Sequence, residues 1–302
     1  ASLVLPAAAA GTVPSQAEAA QVIQALGIMA GDDRGNLNLE SPVTRAEFIT
    51  MAVKALPGGG EIGQAATSPY PDVPRTHWAA GYVAAAVSAG LVRGNLYGYF
   101  EPDRNITLAE GVTMVLRLLG YRDSDFTGAD PAGQMAKYRA LGLDAGVPTT
   151  ASNGELTRRD ALYLFYNLLT AKTADSSAYL LDVLKPGEHL VTPSGTINTV
   201  ALVNAAMEGP VVASGGWQSK LPFDLSTAKV YRGGSASTLS AVAANDVVYY
   251  SKSMRTLWVY SNKVTGSIEA ITPASSPTSV TVAGKSYSIE TPAAAYDLSD
   301  LG

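Results

Sequence analysis

The sequence contains no cysteine and only two histidines. Disulfides, thiolate nucleophiles and cysteine-ligated zinc sites are therefore excluded. The lack of cysteine fits a cytosolic chain as well as an exported bacterial one, so it does not decide the compartment. His189 is the only histidine of the second half, and a lone histidine in a predicted loop is a poor candidate for acid–base catalysis.

Charge and long apolar runs are also scarce. Charged residues make up 16% of the chain, with a net charge of −5 and a pI near 5.1. This balance argues against nucleic acid as a partner, because phosphate binding needs a concentrated basic face. No apolar run reaches the roughly 20 residues that span a bilayer, so we expect no membrane span. A hydrophobic content of 47% over 302 residues predicts a folded chain with two or three domains.

Three similar stretches organise the first half of the chain. Each places a threonine three residues before an acid and just ahead of an apolar run, which is the spacing of a capping box at a helix N-terminus. The three pairs are Thr44 with Glu47, Thr107 with Glu110, and Thr157 with Asp160. A short segment bounded by two glycines precedes each pair, at 27–31, 90–94 and 142–146. We interpret this order as an internal repeat.

Apolar periodicity predicts two helices in each repeat. The predicted ranges are 17–26 and 45–56, then 78–89 and 108–119, then 131–141 and 158–170. We expect Ser15 to cap the first helix and Thr76 or His77 to cap the third. One repeat alone would expose a large apolar face, so the three repeats are expected to pack on one another. The loop at 32–36 lacks the ligand pattern of an EF-hand and is interpreted as a turn, so we expect no metal and no cofactor.

The two ends of the chain carry expectations of their own. Residues Ala1 to Gly11 are typical of the end of a secretory apolar region followed by small-residue cleavage sites. We therefore assign residues 1–14 to a signal-peptide remnant, with a flexible alanine-rich N-terminus as the alternative. The chain ends at Gly302 directly after predicted strands, which indicates a fragment.

The second half changes from helical periodicity to short β-type runs near residues 171–177. We place a domain boundary there and expect a β-rich domain over 175–302. Predicted strands cover 196–203, 210–213, 229–231, 246–251, 256–260, 266–272, 279–282 and 286–289. Gly284 supplies the turn of a hairpin. Several strands at this spacing predict a small all-β barrel or sandwich.

Residues 70–120 contain the motifs Y-P-D-V-x-x-x-H-W-A, G-L-V-R-G, Y-F-E-P-D and I-T-L-A-E-G-V-T-M-V-L-R. Together they resemble an S-layer homology repeat, and the flanking units resemble two divergent copies. The repeats are then 15–60, 70–121 and 130–174. The resemblance implies an all-α three-repeat pseudo-trimer that anchors exported bacterial proteins to the cell wall. In that family, grooves between repeats bind secondary cell-wall polysaccharide, typically with a pyruvylated sugar.

The resemblance also implies which residues bind the glycan. Arg45 and Arg158 stand in the first turn of a helix, where a guanidinium and nearby free N–H groups suit the carboxylate of a pyruvate ketal. Trp78 matches a family position for stacking on a sugar ring, although core packing is equally compatible with the sequence. Gly94 matches a position where the ligand approaches the backbone.

Departures from the family pattern limit the number of sites. Leu108 stands where the family usually has arginine, so the groove of the second repeat needs Arg93 or Arg104 as a substitute. The first and third repeats lack the His-Trp-Ala motif, and Asp160 replaces glutamate in the third. We expect one or two competent grooves of three. The three threonine–acid pairs are interpreted as structural helix caps.

Two functions remain open from the sequence. The first is a wall-anchoring module that displays a β-domain, with self-association into an S-layer lattice as a variant. The alternative is a wall-associated glycan or peptidoglycan hydrolase with its site in the β-half or beyond the chain. The second half shows no paired carboxylates and no G-x-S-x-G elbow, so no catalytic residue is nominated. Trp217 and Trp258 are interpreted as packing in the core or at a barrel end rather than lining a sugar site.

Overall fold

The computed structural model describes residues 13–262, 264–289 and 292–300. The chain divides into two compact units, the first ending at Ala206 and the second beginning at Met207. Almost all of the predicted signal-peptide remnant, residues 1–12, lies outside the described residues.

The first unit is helical, as predicted. Its helices are α1, Gln16–Ala25; α2, Arg45–Lys54; α3, Ala80–Ser88; α4, Leu108–Leu118; α5, Ala132–Ala140; α6, Arg158–Leu169; α7, Leu180–Leu184; and α8, Thr199–Ala205. Helix α3 begins later than predicted, and its N-cap, Ala79, makes no side-chain capping bond. Among the described residues, none of the helices has the length and apolar character that a bilayer crossing requires.

Three short segments, one ahead of each capped helix, exchange backbone hydrogen bonds in a closed ring. The N–H of Val43 donates to Leu156 O, that of Leu156 to Ile106 O, and that of Ile106 to Val43 O, each at 2.9 Å. All three side chains are fully buried. The ring ties segments that lie 50 and 63 residues apart in the sequence, because each segment donates to one neighbour and accepts from the other.

The first turns of α2, α4 and α6 make a second set of such bonds, donated in the opposite sense around the three segments. The first N–H of each helix donates to a carbonyl of a neighbouring repeat, from Arg45 to Arg104, from Leu108 to Gly154 and from Arg158 to Ser41, at 2.8–2.9 Å. The second N–H of each helix also donates to a carbonyl of another segment, from Ala46 to Pro102, from Ala109 to Ser152 and from Arg159 to Leu39. Neighbouring repeats therefore satisfy the N–H groups that a helix N-terminus leaves unpaired.

Side chains satisfy the next N–H group of each of these helices. The hydroxyl oxygens of Thr44, Thr107 and Thr157 each accept a hydrogen bond from the backbone N–H of the acidic residue three positions later. The carboxylate of that residue accepts one from the threonine backbone N–H, which completes a capping box. Asp160 makes two further bonds, to the N–H and the hydroxyl of Thr149 at 2.7 and 2.9 Å. It is fully buried, so its carboxylate depends on these donors.

Aromatic side chains fill the space between the repeats. The rings of Phe48 and Phe165 lie 5.2 Å apart, and both residues are fully buried. Gly111, in the middle of α4, faces this pair: a Cβ there would lie 2.9 Å from Leu156 Cδ1 and 3.2 Å from Phe48 Cζ. The glycine costs helix propensity but allows α4 to approach the shared core.

The described part of the second unit contains two β-sheets, one α-helix and three short 3-10 helices. Its strands are β1, Glu208–Val212; β2, Lys229–Arg232; β3, Ser235–Ser237; β4, Val247–Ser251; β5, Thr256–Tyr260; β6, Ile268–Thr272; β7, Ser279–Val282; and β8, Lys285–Ser288, followed by α9, Pro292–Asp300. One sheet has the order β1-β4-β5-β2-β3, with β2 and β5 parallel, and the other has the order β6-β7-β8.

The sequence predicted a barrel or a sandwich for the second unit, and the barrel alternative is wrong. The five-stranded sheet is open, since its order runs from β1 at one edge to β3 at the other. One face of this sheet carries Val230, Val248 and Leu257, which pack against Trp217 and Leu221. Trp217 begins a short 3-10 helix, Trp217–Lys220, between β1 and β2, and Leu221 follows it, so this connecting segment covers the face.

The change to β-structure comes later in the chain than predicted. Residues 196–203, predicted as a strand from their β-branched side chains, lie mostly in α8. Asn198 caps α8 by accepting a hydrogen bond from the Ala201 N–H, and Leu202 and Val203 are buried. A cap and an apolar stripe therefore outweigh the weak helix propensity of the β-branched residues.

We expect Asp160→Ala to lower the free energy of unfolding by about 3 kcal/mol, because the substitution removes a cap and leaves the partly buried donors of Thr149 and Thr157 unpaired. Equilibrium urea unfolding, followed by far-UV circular dichroism, measures this loss. Asp33→Ala is the matched control, since Asp33 is an exposed carboxylate with no side-chain hydrogen bond in the described structure. Equal losses in the two variants would contradict the assigned role of Asp160.

Candidate functional site

A cavity of about 370 Å³ opens between the first two repeats and the start of the third. We call it the arginine groove. Its lining combines three arginines, two acids and an apolar wall: Arg45, Leu91, Val92, Arg93, Ala109, Glu110, Thr113, Met114, Arg117, Asp130 and Pro131. Its volume falls in the range of small-ligand sites.

Helix α4 supplies one wall of the groove through a single face. Glu110, Thr113, Met114 and Arg117 stand at helical spacings of three and four residues, so they line up along one side of α4. The capping box at Thr107 fixes where this helix begins and so fixes the direction of that side. Because α4 is tied to the ring of hydrogen bonds, the groove wall is held by the core.

Arg45 forms the base of the groove. Arg45 is only 6% exposed. Its Nε donates a hydrogen bond to Phe100 O at 2.9 Å, and its Nη1 donates one to Glu110 Oε1 at 2.7 Å. The guanidinium also lies over the Phe100 ring, 5.0 Å from its centroid. Burial lowers the pKa of Arg45, and the charge of Glu110 partly restores it. Arg45 therefore has a structural role at the junction as well as a place in the groove.

Glu110 connects three donors. It accepts from Arg45, from Arg104 Nη2 at 2.6 Å and from the Thr107 N–H at 3.0 Å. Burial by itself raises the pKa of Glu110, but the hydrogen bond from Arg104, the Thr107 N–H and the charge of Arg45 outweigh burial, and the pKa lies below its ordinary value. Arg104 therefore neutralises Glu110 and leaves less of the Arg45 charge cancelled.

Arg93 and Arg117 provide the accessible positive charge. The Arg93 side chain is 80% exposed, and its ion pair with Asp123 is long, at 3.7 Å. Arg117 is better held, with Nη1 donating to Leu91 O at 3.0 Å and Nη2 donating to Asp123 at 2.9 Å. The Arg117 hydrogen bond and charge lower the pKa of Asp123. Arg93 is therefore the arginine of the groove that is most available to a ligand.

Arg158 repeats the position of Arg45 at a different junction. Its Nε donates to Leu37 O at 2.6 Å and its Nη2 to Ala30 O at 2.8 Å. Leu37 in the first repeat stands where Phe100 stands in the second, 63 residues later, so the two arginines make the same contact. Burial lowers the pKa of Arg158, and the charges of Glu47 and Asp32 oppose this. The structure therefore places Arg158 away from the arginine groove.

Trp78 and Gly94 also lie outside the lining of the groove. Trp78 is 58% exposed and stacks on His77, so the core-packing interpretation is wrong. A Cβ at Gly94 would lie 2.7 Å from the ring of Tyr70, so this glycine makes room for a tyrosine of the chain itself. Leu108, at the position equivalent to Arg45, is fully buried in the core.

The expectation of free N–H groups beside the predicted arginines is wrong. The first two N–H groups of α2 and α6 donate to carbonyls of neighbouring repeats, and the next is capped by threonine. A ligand in the groove would therefore meet side-chain guanidinium groups rather than a helix N-terminus.

The sequence interpretation missed Arg117, Thr113 and the Asp130–Pro131 corner. Arg117 stands seven residues after Glu110, which places both on one helical face, so the spacing could have suggested it. Asp130 and Pro131 precede α5 and belong to the next repeat. Their approach to α4 follows from repeat packing, which no local pattern encodes.

The S-layer homology domain family matches residues 10–49 and 69–110, which overlap the first and second predicted repeats. The "Middle cell wall protein" of Brevibacillus brevis is 32% identical over 163 residues, 53% of this chain and 15% of that protein. The "Cell surface protein" of Thermoanaerobacter kivui is 35% identical over 146 residues, 48% of this chain and 18% of that protein.

An "Endoglucanase" of Bacillus sp. is 31% identical over 100 residues, 33% of this chain and 10% of the enzyme. The chain thus spans less than a fifth of the length of each of these relatives. It belongs to the proteins that carry S-layer homology domains. Its location is the bacterial cell surface or cell wall.

We expect Glu110→Gln to destabilise the protein by about 2 kcal/mol at neutral pH, because the variant loses charged hydrogen bonds to two arginines. The folded pKa of Glu110 lies below its ordinary value of 4.5, so this stabilisation is present above that pH and is lost as the pH falls through the lower folded value. Urea unfolding between pH 7 and acid pH should show the difference from the unmodified protein shrinking below about pH 4.5.

Glu188→Gln serves as the control for this experiment, since Glu188 is exposed and has no side-chain hydrogen bond in the described part of the chain. A Glu110→Gln deficit that is constant with pH would contradict the role of the ionised carboxylate.

Proposed function

We propose that this chain anchors an exported protein non-covalently to the bacterial cell wall, by binding an acidic wall polysaccharide in the arginine groove. The observation that carries the proposal is Arg93, an accessible guanidinium at a concave site whose base holds a second, buried guanidinium, Arg45. The S-layer homology match supports this anchoring function.

The proposal includes a pseudo-threefold arrangement of the three repeats. Nine backbone hydrogen bonds in three equivalent sets support it, because each set joins the first repeat with the second, the second with the third, and the third with the first. Arg45 and Arg158 add two equivalent side-chain contacts across the junctions. Under this arrangement each junction offers one groove, with different side chains in each.

The lining of the arginine groove suits a pyruvylated sugar. A pyruvate ketal carries a carboxylate and a methyl group on one carbon. Arg93 offers a fork of donors to the carboxylate, and the part of Arg45 left for a ligand is Nη2, since described protein contacts occupy Nε and Nη1. Leu91, Val92 and Met114 provide the apolar wall against which the methyl group would pack.

We propose supporting roles for the other predicted residues. Trp78 presents an exposed ring to the polymer beyond the groove, where sugar rings can stack. Arg158 organises the junction between the third and first repeats and lines its groove. Gly94 acts through Tyr70, whose ring occupies the space beside it, so its contribution is to hold the segment that carries Arg93.

We further propose that the chain has no catalytic activity and that its β-unit is displayed at the surface, within a larger S-layer or surface protein. The names of the relatives as wall and surface proteins support this. The endoglucanase match favours a wall-associated hydrolase as the second candidate. A zymogram on peptidoglycan and common polysaccharides distinguishes the two, because clearing by the purified chain would establish hydrolysis.

The direct test of anchoring is co-sedimentation with purified Gram-positive cell-wall sacculi. We expect the unmodified chain to pellet with sacculi, and to stay in solution when the non-peptidoglycan polymer has been stripped from them. Arg93→Gln should weaken binding about tenfold, since a charged hydrogen bond at this site is worth roughly 1.5 kcal/mol. Unchanged binding to stripped sacculi would overturn the polysaccharide as the partner.

Arg75→Gln provides the matched control, because Arg75 is an exposed arginine of the same repeat outside the lining of the groove. Circular dichroism of both variants verifies that the helical unit is intact. Equal weakening by Arg75→Gln and Arg93→Gln would show that binding follows overall charge and not the groove.

A further inference from the structure

The outer face of the five-stranded sheet carries a row of three aromatic rings. Tyr249 of β4 pairs with Trp258 of β5, which in turn pairs with Tyr231 of β2. Residues directly opposite each other on paired strands point to the same face, so the three side chains stand side by side. We call this set the aromatic row.

The aromatic row does not belong to the core of its unit. The core is built from Val230, Val248, Leu257 and Val259, the residues that alternate with the aromatic row along the strands. Tyr231, Tyr249 and Trp258 are half-buried, and Tyr260, on the same face, is 43% exposed. Tyr260 meets Tyr249 edge to face at a centroid distance of 5.8 Å. The rings therefore form a surface platform.

Small residues flank the aromatic row at both ends. Beside Tyr231, the partner on β3 is Ala236. Beside Tyr249, strand β1 is irregular between Glu208 and Val211, and Gly209 lies against the backbone of Tyr249. A platform of rings with small residues at both ends is open to an extended chain that crosses the strands.

Two members of the aromatic row, Tyr231 and Trp258, carry polar atoms that are available to a ligand. In the described part of the chain, the hydroxyl of Tyr231 and Nε1 of Trp258 have no protein hydrogen-bond partner and are not among the buried unsatisfied groups. An apolar ring with a free polar tip suits a sugar, whose C–H groups pack on the ring while its hydroxyls bond to the tip. Neighbouring strands lie about 4.8 Å apart, a spacing comparable to one hexose of an extended polysaccharide.

The charge beside the aromatic row is positive. Lys229 stands two residues before Tyr231 on the same face, and Lys252 lies in the turn at the same end of the sheet. Both are exposed, and neither has an ion pair in the part of the chain that the structure describes. Asp224, in the loop that leads to β2, is bonded to Ser226. This unpaired positive charge is complementary to an acidic polymer.

From these observations we infer that the aromatic row and Lys229 form a second glycan site, one that binds an extended acidic polysaccharide lying across β4, β5 and β2. This site is independent of the arginine groove, since it lies in the other compact unit and uses stacking more than guanidinium contacts. Two sites on one chain would raise the avidity for a polymer that reaches both.

The test is isothermal titration calorimetry of the whole chain carrying Arg93→Gln, a substitution that weakens ligand binding in the arginine groove. The probes are oligosaccharides of polygalacturonic acid, which are acidic, and cello-oligosaccharides, which are neutral. We expect the acidic series to bind, Trp258→Ala to weaken this binding about tenfold and Trp258→Phe to retain most of it. Lys229→Gln should weaken the acidic series and leave any neutral binding unchanged.

Tyr296→Ala is the control, because Tyr296 is an exposed aromatic of the same unit that belongs to helix α9 and not to the sheet. If Trp258→Ala does not fold, Trp258→Phe and Lys229→Gln still decide the question. The inference is overturned if neither series binds. It is also overturned if Trp258→Ala and Lys229→Gln bind the acidic series as tightly as the chain without these two substitutions. It is also overturned if the acidic series does not bind and sedimentation shows that Trp258→Ala dissociates an oligomer, since the face would then join copies of the chain.

Discussion

The ring of hydrogen bonds among Val43, Ile106 and Leu156 is the constraint on which the helical unit depends. Each of these residues is fully buried, so each N–H and carbonyl needs a partner inside the protein. A chain segment cannot satisfy itself in this geometry, and the ring closes only when all three segments are present. The unit is therefore cooperative in a stronger sense than a stack of repeats, where each contacts only its neighbours.

The ring also determines what the helix N-termini can do. Their first N–H groups donate to neighbouring carbonyls, so the positive ends of α2, α4 and α6 point into the junctions. An arginine in the first turn, unfavourable beside a helix N-terminus, is held there by a carbonyl of the next repeat, Phe100 for Arg45 and Leu37 for Arg158. Carbonyl dipoles and, for Arg45, the carboxylate of Glu110 compensate the buried charge. Arg45 and Arg158 therefore have a structural role at the junctions, whether or not they also bind a ligand.

Local patterns predicted what is local. Each threonine–acid pair marks a helix start, because the capping box involves only four consecutive residues and its energetics do not depend on the rest of the chain. The strand predicted at 196–203 was wrong for the opposite reason. Its β-branched residues favour a strand locally, but burial of Leu202 and Val203 in the tertiary structure stabilises helix α8. Barrel closure failed because pairing of β1 with β3 is a long-range event that strand spacing does not encode.

The binding residues show the same division. Arg45 could be proposed from its place in a motif, but its partner Glu110 and its burial depend on a junction between repeats. Arg93 entered only as a substitute, and the structure gives it the most accessible charge of the groove. Arg117 was not predicted, and its place in the last turn of α4, where an arginine favours the helix dipole, does not by itself indicate a binding role. Its hydrogen bond to Leu91 O shows that it also fixes the segment next to Arg93.

The three junctions differ because their chemistry at one position differs. Two use a guanidinium, buried for Arg45 and partly buried for Arg158, that must be neutralised or bonded to carbonyls at a desolvation cost. The third uses Leu108, which contributes apolar burial without that cost. A leucine cannot bind a carboxylate, so the stability of that junction is obtained at the expense of a charged site. The second repeat carries Arg93 and Arg117 on the side that faces the first repeat, where Arg45 supplies the base. The arginine groove therefore combines three guanidinium groups at one junction, whereas Leu108 contributes none at its own.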